Sequence, residues 1–160
     1  MATTYTHIAT TELSSSVASV DFTSLGAYTD LVFYCQFATS QLAYITAQVG
    51  SGSFTTTGYT TQIVDTTPSA YVYGTTNGLR IGYGQANNGL TGFGIFELHQ
   101  YRNGFTHKVM HGYHGHTSTF GNMAVSRLNQ TLTVDRVKFF GDSGNLISGT
   151  KISVYGILAA

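Results

Sequence analysis

The chain has 160 residues, of which 42% are hydrophobic and only 9% charged, with a formal net charge of zero. That length fits one domain with a real core. The balance excludes the basic stripe that nucleic-acid binding requires, and a charged share far below the roughly 25% of ordinary soluble domains implies a surface that lies against other protein or, alternatively, one kept soluble by its abundant Thr, Ser, Asn and Gln side chains.

In chain order, the polar residues Ala2 to Thr11 read first, as an arm that docks on a neighbour, so that residues 1–12 stand apart from a single domain at 13–160. They show neither the basic head nor the apolar stretch of a signal peptide. Helical periodicity is almost absent, while β-branched and aromatic residues abound, as in strands. Val17 to Thr23 alternates, with Ala18, Val20 and Phe22 on one face. Asp30 to Phe37 does the same with Leu31, Phe33, Cys35 and Phe37, and Leu42 to Val49 with Ala43, Ile45, Ala47 and Val49. Gly50-Ser51-Gly52-Ser53 then breaks the pattern. Tyr59 to Val64 is a weaker strand, followed by a loop around Pro68 and a short strand at Tyr71 to Tyr73.

Asn77-Gly78 signals a tight turn into Leu79 to Tyr83, and Asn87-Asn88-Gly89 signals another. Phe93 to Tyr101 is a strong strand, turned by Arg102-Asn103-Gly104 into Phe105 to Tyr113. On that strand Phe105, His107, Val109, His111 and Tyr113 share a face, and the Gly-rich stretch with His114 and His116 reads as a loop. Met123 to Leu128, Leu132 to Phe140 and the closing Lys151 to Ile157 complete the set. In the last, Ile152 and Val154 point one way and Ser153 and Tyr155 the other, and Tyr28 to Phe33 is its expected partner. About ten strands with a turn roughly every 8 to 12 residues predict an all-β fold, an antiparallel β-sandwich of jelly-roll type. No apolar run approaches the ~20 residues that span a bilayer as a helix.

Few residues suggest chemistry. Cys35 is the only cysteine and sits among Phe33, Tyr34 and Phe37, which predicts a buried, inert thiol and a chain folded in a reducing cytoplasm. Glu12, Asp21, Asp30, Asp65, Glu97, Asp135 and Asp142 are spread singly, without the pairing of a general acid and base. Asp30, at a strand start, is placed to accept backbone N–H bonds. His99, His107, His111, His114 and His116 cluster in sequence. His114 and His116, two apart on a strand, would reach one ion, and three chains around a threefold axis would supply six nitrogens; two ligands from one chain make a weak site. Packed or loop histidines are the simpler expectation, so no cofactor is expected. Gly82-Tyr83-Gly84 and Gly92-Phe93-Gly94 precede no helix and cradle no phosphate. Tyr71, Tyr73, Tyr83, Tyr101 and Tyr113 form a scattered aromatic set suited to packing, interfaces or sugar stacking.

Four segments in order carry a resemblance: Leu13 to Thr23, Tyr28-Thr29-Asp30-Leu31-Val32, Phe96-Glu97-Leu98, and Gly149 to Ile157 with its Tyr155-Gly156-Ile157. In combination they are similar to small virion structural proteins of tailed bacteriophages, notably those of cyanobacterial and other aquatic hosts. The resemblance implies no catalytic residues and no enzyme. It implies a homotrimer on the outer capsid surface that binds the major capsid protein as a cement or decoration protein. The alternative it implies is a tail fibre or spike component, with tail proteins and a host surface glycan as partners. The expected contact residues are Ala2, Thr3, Thr4, Tyr5, Tyr71, Tyr73 and Tyr113. The family's segment resembling F-N-G-D-x-G-x-N-Y is not kept, since Ile45 to Tyr59 is mostly Gly, Ser and Thr here.

Overall fold

A computed structural model describes residues 4–65, 70–84, 92–116 and 120–158. Among them are thirteen strands and no helix. They are β1 (Thr4–Glu12), β2 (Ser19–Phe22), β3 (Asp30–Phe37), β4 (Ala43–Ser51), β5 (Ser53–Phe54), β6 (Tyr59–Asp65), β7 (Ala70–Thr76), β8 (Leu79–Gly84), β9 (Gly92–His99), β10 (His107–His116), β11 (Phe120–Thr131), β12 (Arg136–Gly141) and β13 (Lys151–Leu158). They form two antiparallel sheets, a β-sandwich. The larger has eight strands in the order β1-β13-β3-β9-β10-β11-β6-β7. The smaller has the order β2-β12-β4-β5, with β8 also paired to β4.

Eight strands form the scaffold: β1-β13-β3-β9 face β2-β12-β4-β8. Numbered along the chain, these run 1-8-3-6 and 2-7-4-5, the order in which a jelly roll wraps its two Greek keys. Two insertions widen the larger sheet beyond β9. One is the β10–β11 hairpin, and the other brings β6 and β7. The smaller sheet's β8 packs against β10 and β11.

The core follows from alternation. Leu31, Phe33, Cys35 and Phe37 of β3 are all fully buried, as are Ile45, Ala47 and Val49 of β4 and Ile152 and Val154 of β13. Phe33 and Phe139 meet edge-on with centroids 5.0 Å apart, and Phe22 and Phe37 join them. The expected pairing of Tyr28 to Phe33 with the closing strand is present: Leu31 stands opposite Gly156 and Phe33 opposite Val154. Gly156 is required there, because the Tyr28 ring lies across it and a Cβ would come within 2.2 Å of that ring.

Three expectations differ from the structure. Residues from Thr4 to Glu12 are not a free arm; they are β1, hydrogen-bonded along β13 from Thr4↔Leu158 to Glu12↔Lys151. Their polarity reflects an edge strand whose side chains stay largely exposed. Asn77-Gly78 turns the chain, but β7 and β8 do not form a hairpin. The turn carries the chain from one sheet to the other, and Gln48 Nε2 donates to Asn77 O at 2.6 Å to fasten it. His114 and His116 belong to β10, paired with Gly94 and Gly92 of β9, and not to a loop. The expected loop around Pro68 and the turn at Asn87-Asn88-Gly89 lie outside the described residues.

A ring of hydroxyls joins the sheets where β8 crosses β6 and β11. Arg80 N donates to Thr61 Oγ1 at 3.2 Å. Thr61 and Ser126 hydroxyls share a 2.7 Å bond, and Ser126 Oγ donates to Arg80 O at 2.8 Å. One orientation satisfies all three, with the Thr61 hydroxyl donating to Ser126. Both side chains are fully buried, so this closed circuit offsets the cost of burying them.

Candidate functional site

The outward face of the larger sheet collects the chemistry. Cross-strand register sets Tyr34 of β3 beside Ile95 of β9, Ile95 beside Tyr113 of β10, Tyr113 beside Met123 of β11, and Met123 beside Val64 of β6. The five form one row across five strands, about 19 Å long at the usual strand spacing. Each is 37 to 65% exposed, so the row is an apolar stripe open to solvent. Tyr155 extends it, meeting Tyr34 edge-on at 5.5 Å, and His7 of β1 meets Tyr155 at 5.3 Å.

Two residues further on, β9 and β10 carry polar side chains. Glu97 of β9 faces His111 of β10, and His99 follows Glu97 on the same face of β9. His99 Nε2 and His111 Nδ1 are 2.8 Å apart, and their rings are nearly parallel, 8° apart with centroids at 4.7 Å. His99 Nδ1 lies 3.4 Å from Glu97 Oε1 and 3.8 Å from Asp30 Oδ1. Two carboxylates that the sequence shows singly therefore converge on one imidazole. A shallow depression of about 440 Å³ opens beside them, with His107 and Thr106 on its wall. Among the described residues, Glu97, His99 and His111 are the one group of three whose ligand atoms all lie within 4.8 Å of one another.

The turn below this cluster is pinned. Asp30 Oδ1 accepts from Gln100 N at 2.6 Å, the backbone bond expected of that carboxylate. Gln100 takes the left-handed conformation, with φ of 42°, which is uncommon outside glycine and needs such support. Lys108 points inward, fully buried, and its ammonium donates to the carbonyls of Gln100, at 3.1 Å, and of Asn103. Burial pushes the Lys108 pKa down. A charged residue on the inner face of β10 had no signal in the sequence.

The sequence-predicted contact residues scatter. Tyr113 is in the row and exposed. Tyr5 and Thr4 lie on β1, the sheet edge, two strands from Tyr34. Tyr71 and Tyr73 are on β7, where only the backbone is described, and Ala2 and Thr3 lie outside the described residues. His114 is buried between the sheets, so close to Gly82 that a Cβ there would meet its ring at 2.6 Å. The threefold metal site weighed for His114 and His116 would need both rings on the outer face, and that of His114 is turned into the core. The side chain of His116 is outside the described set. Comparison of the chain with protein-family models, curated proteins and solved structures returned no match.

Proposed function

We propose that the protein is a structural component of a tailed-phage virion, a capsid cement protein that assembles as a homotrimer on the major capsid protein. The observation that carries this reading is the open apolar row Tyr34–Ile95–Tyr113–Met123–Val64. Stable complexes bury about 800 Å² per partner, with an apolar, aromatic-rich centre and a polar rim. The row supplies such a centre, and Gln36, Glu97, His111 and Gln62, beside it on the same strands, supply polar neighbours. With no net charge to steer association, attachment depends on short-range fit and persists at high salt. In this role the protein acts by contact and turns over no substrate. Trimerisation and the capsid partner rest on the resemblance to virion proteins.

One observation favours a second reading, a tail fibre or spike domain that holds a host glycan. Tyr34, Tyr113 and Tyr155 rings lie on the same face as the polar cluster of Asp30, Glu97 and His99, and aromatic faces beside carboxylates suit sugar rings.

The test has two arms. Sedimentation of the purified chain is expected to give a trimer, and electron microscopy of virions carrying a tagged copy to show label over the whole shell. Ile95→Lys with Met123→Lys, both outward-facing, should abolish the shell label while the thermal melt holds. Label confined to the tail would establish the second reading. An unlabelled virion, or shell label unchanged in the double variant, refutes the assignment of this face.

A further inference from the structure

We infer that Glu97, His99 and His111 form a binding site for a first-row divalent transition-metal ion such as Zn²⁺. Two imidazoles and one carboxylate are a borderline donor set, suited to zinc, cobalt or nickel and poorly suited to calcium or magnesium. The three side chains come from adjacent strands and need no loop to converge. Glu97 and His99 are two apart on β9, and His111 stands directly across from Glu97 on β10.

The two rings already face one another across little more than the width of one ion. Two ligands bound tetrahedrally at about 2.1 Å stand about 3.4 Å apart. His99 Nε2 and His111 Nδ1 are 2.8 Å apart, so the rings part by about 0.6 Å to admit the ion. An ion would replace the hydrogen bond between the two rings. The proton now between them moves to the outer nitrogen of His111, so both facing nitrogens offer lone pairs. Glu97, part-exposed, reaches the ion by rotating about its side-chain bonds. Asp30 then remains beside His99 Nδ1 as the carboxylate that orients the ring, an arrangement usual for metal-binding histidines. Asp30 is itself fixed by Gln100 N, and Gln100 by the buried Lys108 ammonium. The supporting shell is therefore rigid before any ion arrives. The neighbouring depression leaves room for water to complete the coordination.

The experiment is calorimetric titration of the full chain with zinc chloride in a non-chelating buffer, followed by X-ray absorption at the zinc edge. One ion per chain is expected, with nitrogen and oxygen neighbours only. His99→Gln and His111→Gln should each weaken binding at least about 10-fold, and Asp30→Asn about 10-fold with stoichiometry unchanged. His107→Gln, on the depression wall outside the trio, should leave affinity intact. Circular dichroism checks each fold, and Glu97→Gln carries the test if a histidine variant does not fold. No binding, sulfur neighbours, or affinity unchanged by both histidine variants would overturn the site. None of these outcomes depends on where in a virion the protein lies.

Discussion

Replacing Tyr59 with Phe tests how the insertion is tied to the scaffold. Tyr59 opens β6 in the larger sheet and is fully buried. Its hydroxyl accepts from Val49 N of β4, in the other sheet, at 3.1 Å and donates to Thr55 O at 2.8 Å. Tyr59→Phe keeps the ring and leaves a buried N–H and a carbonyl without this partner, at a cost of about 1–3 kcal/mol. The same burial pushes the phenol pKa from 10.0 to about 12. Above pH 10 the unfolded chain loses this proton while the folded chain keeps it, so wild-type stability falls as pH rises toward 12. The loss from this group is about 1.4 kcal/mol by pH 11 and about 2.7 kcal/mol in full. Phe has no such proton. Urea unfolding of both proteins at pH 8, 9, 10 and 11 should show wild type ahead at pH 8 and the gap closing by about 1.4 kcal/mol at pH 11. Other titrating groups are common to both proteins and drop out of the difference. A gap that stays constant with pH would refute the assigned burial of this hydroxyl.

Ser126→Ala should cost about 1–3 kcal/mol in urea unfolding, because it opens the hydroxyl circuit and takes the donor from Arg80 O; a loss within 0.5 kcal/mol, the roughly neutral range, would mean that the circuit adds nothing. Cys35 is fully buried and burial raises its pKa well above the usual thiol value, so Ellman's reagent should label it only after unfolding; rapid labelling of native protein would count against the core described for β3. Asp135 is held below the usual carboxylate range by the Arg136 guanidinium and by Gly52 N. Its contribution is present above about pH 4 and disappears as pH falls through the lowered folded value. Asp135→Asn should therefore flatten the acid limb of the stability curve, and parallel acid limbs would exclude the role.

The sequence disclosed what period-two alternation encodes. The buried faces of β3, β4 and β13 were readable because each strand has one apolar side against the core. β1 was not readable as a strand, since an exposed edge needs no alternation. The Asn77-Gly78 signal gave a turn but not its destination, because a local dipeptide does not specify which sheet receives the next strand. Lys108 and His114 share the inner face of β10 with Met110, where a polar residue breaks the pattern that would have marked that face as internal. The candidate site was hidden for another reason. Asp30, Glu97, His99 and His111 are separated by up to 81 positions and meet only through register, which no single strand records.

Both proposed surfaces need the insertions as well as the eight-strand scaffold. Tyr113, Met123 and His111 belong to the β10–β11 hairpin, and Val64 to β6. Without them the larger sheet would end at β9, leaving Ile95, Glu97 and His99 along an unpaired edge. The hairpin turns that edge into the middle of a broad face. It also places the two histidines on adjacent strands, where hydrogen bonding fixes their separation. The buried groups that fasten the insertions, Tyr59, Thr61, Ser126 and Lys108, all bond to backbone groups or to one another. They make the extension part of the folded domain. A face held this way is preorganised for contact, so binding a partner requires little further ordering of backbone, and that economy favours a protein whose work is to adhere.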